Sequence, residues 1–540
     1  MSANPAPLTI IGNDPRGKRS RDVVVKQASN EFVFAVVGHA GSGTSVVGDT
    51  LKTLLEATAL TGANFDVSIL KARTIIDEWA REHGKDVPAT GSRRTLKDVE
   101  CLQDLGDEMR AEETADGKAD YAAVARALVE LIARTRAEKI GVEYTRGQEV
   151  SPDGKPRAYI LDSIRHPAEV HLLRHIYGDA FILVGVVCEE EKRKKRIQAK
   201  YNCGPEDAHE FMERDADDDE KNGQHVADAF HLSDFFVDNT VDREINGASN
   251  RDWKATEDLS RLLKIITHSE LIRPKLSETS MYHAFSAQMQ SACLSRQVGA
   301  AVVDKNGNVL ATGTNEAPRA GGGVYGESSE PDVEEARCAF FRDQQNRYCR
   351  NTTEQNSIID DLFSKIKELK DVTAERRDQL KKEIRKTRIG GLLEFSRAVH
   401  AEMDALLSAG RQGISVVDAI LFVTTYPCHY CARHLIAAGI REVQYIEPYP
   451  KSKALELHQD SIEIEETQLR EYEKKGIKKV FFHPFSGVAP RLYKRAFLKD
   501  RELKDKSTGV MRISGHEWTA PWHLPMTSYV ALEAKLARRD

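Results

Sequence analysis

Long apolar runs are missing from this sequence of 540 residues. No segment approaches the ~20 apolar residues that a transmembrane helix requires, so we expect no membrane association. The N-terminal segment lacks the continuous apolar stretch of a signal peptide. The 8 cysteines are few and scattered, which excludes a disulfide scaffold. We therefore expect a cytoplasmic protein.

Aromatic residues are also scarce, at 7%, and the formal net charge is only -6. A protein that coats nucleic acid needs a basic surface, so this balance argues against bulk DNA binding. The 40% hydrophobic and 30% charged residues are typical of globular proteins. A chain of this length is expected to divide into at least two domains.

A glycine-rich turn follows the apolar, strand-like run Glu31–Val37 and precedes a helical pattern. Strand, glycine-rich turn and helix are the context of a phosphate-binding loop. The candidate nucleotide-binding residues of this P-loop are Gly38, Gly41, Ser42, Gly43, Thr44 and Ser45. Further alternating strands and helices to about residue 240 predict a parallel α/β sheet.

The loop departs from the G-x-x-x-x-G-K-[ST] pattern at one position, because Thr44 replaces the lysine that neutralises the β- and γ-phosphates. Arg165 or the basic run 192–196 would compensate, and Asp162 resembles a carboxylate that supports Mg²⁺. This pattern favours binding of a nucleoside triphosphate with Mg²⁺ and little hydrolysis. A purely structural loop and a working kinase or ATPase are the alternatives.

The strongest signal is His400-Ala401-Glu402, followed by Pro427 and the pair Cys428 and Cys431. One imidazole and two thiolates supply three ligands of a tetrahedral zinc site and leave one position open for catalysis. Glu402 is placed to move protons without being a ligand. This order is typical of zinc deaminases that act on nucleobases. The ligands are expected at the starts of two helices, 400–407 and 427–438, separated by a strand at 419–424.

Two further cysteines, Cys338 and Cys349, raise the question of a second metal. The sequence between these two cysteines contains no closely spaced pair of metal-binding residues. Ordinary thiols are therefore the favoured interpretation, and a second metal stays open.

Residues 280–450 resemble the deoxycytidylate deaminase branch of the cytidine deaminase superfamily. The similarity rests on the zinc motif, on the text SRQVGA from Ser295 and on TGTNEAP around Asn315. The resemblance implies a mixed sheet flanked by helices, and it implies that Asn315 binds the nucleotide sugar, with a turn residue before Pro318 as the alternative. It also implies that Glu402 transfers protons to N3 and to the departing ammonia. Arg296 is the candidate phosphate contact, with a structural salt bridge as the alternative. Gly299 is expected to let the backbone approach the base.

The complete layout resembles the anti-phage dCTP deaminases, in which a P-loop kinase-like domain precedes the zinc domain. That resemblance implies deamination of dCTP, and also of dCMP, to drain the dCTP pool under the control of the P-loop domain. It further implies an inhibitory small RNA and a homo-oligomer. The alternatives are a deoxycytidylate deaminase of nucleotide metabolism, a nucleic-acid cytosine or adenine deaminase, and a pseudoenzyme that binds a partner.

The expected fold class is α/β, with a parallel P-loop domain followed by a cytidine deaminase-like α/β/α domain. The insertion at about 324–391 has helical periodicity over 358–388 with interleaved charges, which favours a solvated helix pair over an RNA-binding surface. The predicted segments are a polar lead-in at 1–29, the P-loop domain at 30–245, a linker with a helix at 246–274, the zinc domain at 275–515 and a C-terminal tail at 516–540.

Overall fold

The computed structural model describes residues 29–57, 64–88, 95–114, 116–216, 218, 220–245, 247–326, 338, 347–370, 372–392, 395–449, 452–499, 503–511 and 533. The predicted lead-in and C-terminal tail lie outside these residues, except for Ser29 and Glu533. Within the described ranges, no helix has the length and apolar character needed to cross a membrane.

The chain forms two compact units. One contains Met1–Arg273 together with Lys494–Asp540, and the other contains Pro274–Tyr493. The predicted zinc domain extended to residue 515, so the observed boundary lies earlier. The chain beyond Tyr493 belongs to the first unit, and the carboxylate of Glu533 in it accepts a hydrogen bond of 2.7 Å from Arg136.

The first unit contains a parallel sheet with the strand order β5-β4-β1-β3-β2. Its central strand β1 has the sequence EFVFAVV and is buried along its whole length, as expected for a parallel sheet covered by helices on both faces. The strands are β1 (Glu31–Val37), β2 (Asp66–Lys71), β3 (Arg157–Asp162), β4 (Phe181–Val187) and β5 (Phe235–Asp238), and the short strands β6 (Glu244–Ile245) and β7 (Ala248–Ser249) form a separate hairpin. The helices are α1 (Thr44–Glu56), α2 (Ala72–Glu82), α3 (Leu96–Ala111), α4 (Ala123–Ile140), α5 (Pro167–Tyr177), α6 (Glu190–Tyr201), α7 (Pro205–Ala216), α8 (Val226–Phe230) and α9 (Ala255–Ile266).

The second unit contains a mixed, six-stranded sheet with the order β12-β13-β11-β10-β8-β9. Strand β8 runs antiparallel to both neighbours, whereas β10, β11, β13 and β12 are parallel to one another. The strands are β8 (Gly299–Val303), β9 (Val309–Thr314), β10 (Ile420–Thr425), β11 (Glu442–Glu447), β12 (Ile462–Glu463) and β13 (Val480–Pro484), and β14 (Gly487–Val488) follows. The predicted combination of a parallel α/β domain and a mixed α/β/α domain is confirmed.

The remaining helices include three that belong to the predicted insertion, so its helical character is confirmed for the described residues. They are α10 (Leu276–Gln288), α11 (Arg350–Lys365), α12 (Lys367–Lys370), α13 (Ala374–Lys386), α14 (Ala401–Arg411), α15 (His429–Ala437), α16 (Ala454–Leu457), α17 (Glu466–Lys474) and α18 (Pro490–Phe497). The charges of α11 and α13 pair with each other: Asp360 lies 3.0 Å from Arg377 and 2.7 Å from Lys381. This pairing supports the solvated helix pair.

Candidate active site

Three predicted metal ligands lie together at the starts of two helices. His400 is the residue before α14, Cys428 is the residue before α15, and Cys431 lies in the first turn of α15. The Nδ1 atom of His400 lies 3.4 Å from Sγ of Cys428 and 3.3 Å from Sγ of Cys431.

These distances test whether a metal fits between the three side chains. Tetrahedral zinc with its usual bonds to nitrogen and sulfur separates two such ligand atoms by about 3.5 Å. One imidazole and two thiols at 3.3–3.4 Å from its ring nitrogen match that requirement. The donor set therefore fits Zn²⁺, and a fourth coordination position is left for a reacting molecule.

Glu402 lies in the first turn of α14, beside these ligands, and its side chain is almost inaccessible at 4% exposure. Burial raises the pKa of its carboxyl group, Cys428 raises it further, and His400 opposes both effects. A carboxylate with a raised pKa binds a proton more readily at neutral pH. Glu402 is thus suited to accept and return protons.

The start of α14 is held against β9 by close packing and a hydrogen bond. Gly313 of β9 has no side chain, and a Cβ atom there would lie 2.2 Å from the carbonyl oxygen of Ala401. One residue further, the backbone N–H of Thr314 donates to Asp404 at 3.1 Å, and burial raises the pKa of Asp404. Sequence reasoning missed Gly313 and Asp404, although a glycine inside a strand is a known sign of close backbone approach.

Asn315 follows β9 directly and is largely buried. Its Oδ1 atom accepts from the N–H of Val298 at 2.6 Å, and its Nδ2 atom donates to the carbonyl of Arg296 at 2.6 Å. The amide side chain therefore shapes the segment 296–298. One hydrogen and one lone pair stay available for another partner.

Arg296 forms an ion pair of 3.0 Å with Glu447, and its side chain is half-exposed. Glu447 also accepts a hydrogen bond of 2.9 Å from Thr425 at the end of β10. Burial raises the pKa of the Tyr449 phenol. The charge of Cys428 raises this pKa further, and the charge of Arg296 opposes both effects. Arg296 thus takes part in a salt bridge beside the metal ligands, and sequence reasoning missed Glu447 and Tyr449.

Gly299 was expected to bring the backbone close to the base, but in the structure it lies against a helix. A Cβ atom at Gly299 would lie 2.0 Å from the carbonyl oxygen of Ala284 and 2.3 Å from the backbone nitrogen of Gln288, both in α10. The absent side chain makes room for this helix, while the N–H of Gly299 donates to Thr424. The prediction for Gly299 is therefore corrected: the missing side chain allows α10 to pack against the strand.

A buried carboxylate that the sequence did not single out lies beside Asn315. Glu316 accepts hydrogen bonds of 2.8 Å from the N–H groups of Ala292 and Ala317. Its backbone pairs with Val399, the residue before His400. Glu316 therefore fixes the loop that precedes the metal ligand.

The remaining cysteine candidates do not assemble a second metal site within the described residues. The two sets of metal-binding side chains found there include neither Cys338 nor Cys349. The Sγ atom of Cys349 lies instead 3.2 Å from the hydroxyl of Ser295.

The predicted P-loop follows β1 and leads into α1. Gly41 and Gly43 adopt φ values of 80° and 87°, which side chains disfavour. A Cβ atom at Gly43 would lie 2.3 Å from Nδ2 of Asn239. The hydroxyl of Ser45 donates to Asp162 at 2.8 Å, so the two groups expected near Mg²⁺ are adjacent.

Three of the basic residues expected to replace the missing lysine have acidic partners. Arg165 donates to the carbonyl of Gly38 at 3.3 Å and to the carboxylate of Asp215 at 2.5 Å. Lys192 and Arg196 both pair with Asp242. Two cations contact the P-loop: Arg165 at Gly38, and Arg193 of the basic run, whose guanidinium donates to the carbonyl of Ala40 at 3.4 Å.

A family model for the cytidine and deoxycytidylate deaminase zinc-binding region matches residues 274–447. This span contains all four residues of the metal-site motif, His400, Glu402, Cys428 and Cys431.

Three known proteins give the extent of the similarity. The deoxycytidylate deaminase of Enterobacteria phage T4 is 30% identical over 179 residues, which is 33% of this chain and 80% of that protein. ComE operon protein 2 of Bacillus subtilis (strain 168) is 37% identical over 79 residues, which is 14% of this chain and 41% of that protein. The structure of dCMP deaminase from cyanophage S-TIM5 with dCMP and dUMP is 20% identical, covers 40% of this chain and 99% of its own, and gives a TM-score of 0.22.

Proposed function

The chain belongs to the deoxycytidylate deaminase family, and we propose that it deaminates free deoxycytidine nucleotides, dCTP as well as dCMP, to deoxyuridine nucleotides and ammonia. The observation that carries this proposal is the set His400, Cys428 and Cys431 beside the buried carboxyl group of Glu402. Hydrolysis of an amidine needs a water molecule with a lowered pKa and a group that transfers protons. A metal held by the three ligands would supply the first, and Glu402 supplies the second.

The chemistry divides between the metal ligands and Glu402. When bound by His400, Cys428 and Cys431, zinc supplies Lewis acidity that lowers the pKa of water. Glu402, with its raised pKa, takes a proton from water as the oxygen attacks C4 of cytosine. Its carboxyl group then protonates N3, takes a second proton from the hydroxyl group now bound to C4 and passes it to the departing amine, so that water and cytosine become uracil and ammonia.

The substrate contacts proposed are Asn315 for the sugar and Arg296 for a phosphate. Asn315 retains one free hydrogen and one free lone pair beyond its two bonds to the 296–298 segment. The guanidinium of Arg296 is half-exposed and next to Glu447, so a phosphate that binds it must compete with that carboxylate. This competition makes Arg296 sensitive to the number of charges on the nucleotide.

The P-loop unit is proposed to bind a nucleoside triphosphate with Mg²⁺ and to gate deamination. The first N–H groups of α1 lack partners within that helix and favour an anion. Ser45 and Asp162 are adjacent, as a Mg²⁺ site requires. Thr44 supplies no charge, so little hydrolysis is expected.

The central test incubates the purified full-length protein with dCTP, dCDP, dCMP, cytidine and short single-stranded DNA, and measures deamination. Turnover of dCTP and dCMP supports the proposal. Turnover of dCMP alone identifies a deoxycytidylate deaminase of nucleotide metabolism, and turnover of DNA alone overturns the proposal.

The role of Glu402 has a separate test. Glu402→Ala should lose more than about 100-fold in kcat while its zinc content stays unchanged, since general acid–base catalysis contributes that much or more. Glu473→Gln, an exposed carboxylate on α17, serves as the matched control. Full activity of a zinc-loaded Glu402→Ala protein would remove Glu402 from the mechanism.

Three predictions rest on the resemblance and extend the proposal to the cell. The protein depletes dCTP during phage infection, a small RNA inhibits it, and it assembles as a homo-oligomer. Plaque counts with active protein and the Glu402→Ala variant test the first prediction. Activity with added cellular RNA tests the second, and light scattering of the purified protein tests the third.

A further inference from the structure

An internal carboxylate lies against the P-loop. Asp215, near the end of α7, accepts a hydrogen bond of 2.6 Å from the backbone N–H of Ala40 through its Oδ2 atom. Its Oδ1 atom accepts from the guanidinium of Arg165 at 2.5 Å. Asp215 is 1% exposed, so its carboxylate is shielded from solvent, whereas the side chain of Arg165 is 28% exposed.

The carboxylate of Asp215 binds two groups that a phosphate would need, the N–H of Ala40 and the guanidinium of Arg165. Glycine-rich loops bind phosphate through backbone N–H groups, and the N–H of Ala40 donates to Asp215. Because Thr44 replaces the P-loop lysine, a bound phosphate would need another cation, and both Arg165 and Arg193 contact the loop. Arg165 is within hydrogen-bond distance of the loop at Gly38, yet Asp215 neutralises its charge.

The position of Asp215 is fixed by the packing of its helix. Ala208, Phe211 and Met212 of α7 form one buried apolar cluster with Ala40 of the P-loop. The same cluster includes Leu96 at the start of α3 and Ile197 of α6. A movement of α7 at Asp215 would therefore also move the helices α3 and α6 that pack against it.

We propose that Asp215 is an autoinhibitory latch of the P-loop, and that a nucleotide phosphate binds by displacing its carboxylate from Ala40 and Arg165. This inference rests on the proposed nucleotide binding by the same loop. Displacement frees the positive charge of Arg165 for the phosphate and shifts α7. Nucleotide binding is thereby coupled to a movement within this unit.

The test measures binding of Mg·ATP and of inorganic tripolyphosphate to the full-length protein by isothermal titration calorimetry. Asp215→Asn keeps the shape but removes the competing charge, so its Kd should fall at least about tenfold. Asp215→Ser gives a second uncharged variant with the same expectation. Asp218→Asn, whose partners are Arg214 and Glu220, is the matched control and should bind like the unchanged protein.

A double variant identifies the cation. Arg165→Gln combined with Asp215→Asn should lose the gain in affinity, because the released guanidinium is then absent. Melting temperatures and circular dichroism spectra select the folded variants for comparison.

Each outcome decides between the two proposals. Tighter binding by the Asp215 variants, or binding by them alone, supports the latch. If the unchanged protein binds and both Asp215 variants bind no tighter, the latch is wrong and nucleotide binding stands. If neither the unchanged protein nor the variants bind, the proposed nucleotide binding fails, and the latch fails with it.

Discussion

The buried ion cluster around Arg136 gives a sharp prediction for stability. Arg136 is 0% exposed and donates to Glu31 at 2.7 Å and to Glu533 at 2.7 Å. Glu533 also accepts from the hydroxyl of Tyr177 at 2.7 Å. The substitution Glu533→Ala removes one of the two carboxylates on a guanidinium that has no access to water.

The size of the effect follows from this environment. Loss of one partner from a buried charge pair costs about 3–5 kcal/mol, because the other charge keeps its desolvation penalty. Glu31 stays in place and limits the loss, while Tyr177 loses its acceptor. We therefore expect Glu533→Ala to lower the free energy of unfolding of this unit by at least about 3 kcal/mol.

Tryptophan fluorescence during urea unfolding isolates this effect. None of the 4 tryptophans lies within residues 274–493, so the signal reports the first unit. Trp79 and Trp253 are buried and change their surroundings on unfolding. The exposed Glu143→Ala variant is the control and should change the free energy of unfolding by less than ~0.5 kcal/mol. An unfolding midpoint of Glu533→Ala equal to that of this control would refute the reasoning.

Three further substitutions contrast packing with surface charge. Gly313→Ala places a Cβ atom 2.2 Å from the backbone of α14, so it should lower the free energy of unfolding by about 1–3 kcal/mol and also lower the zinc content. Gly299→Ala places a Cβ atom against the backbone of α10 instead and should leave the zinc content unchanged. Zinc measured by mass spectrometry in folded protein checks this, and equal zinc content in both variants contradicts it. Asp360→Asn removes exposed ion pairs with Arg377 and Lys381 and should change stability by less than ~1 kcal/mol, which thermal melting checks. A larger loss would mean that these pairs hold the helical insertion together.

Local spacing explains why the metal-site motif could be predicted. His400 and Glu402 are two positions apart at the start of one helix, and Cys428 and Cys431 lie within the first turn of another. Such short distances along the chain are preserved when a helix forms. The same reasoning placed the predicted P-loop between β1 and α1, because strand, turn and helix are consecutive.

Long-range contacts explain what could not be predicted. Asp215 is 175 positions from Ala40, and neither its residue type nor its neighbours mark it as a partner of the P-loop. Glu533 is 397 positions from Arg136, in a segment that the sequence suggested was a tail. Acidic residues are numerous in this chain, so the identity of the buried ones depends on how the helices pack.

Gly299 shows where the interpretation of a correct signal failed. A glycine inside a strand indicates a close backbone approach, but the sequence does not reveal which group approaches. Gly299 pairs with Thr314 and Gly313 pairs with Ala300, so the two glycines face opposite sides of the sheet. One side receives α10 and the other receives α14, and both helices touch the strand backbone. Gly313 packs against Ala401, the residue before Glu402, so this contact positions Glu402 against the sheet.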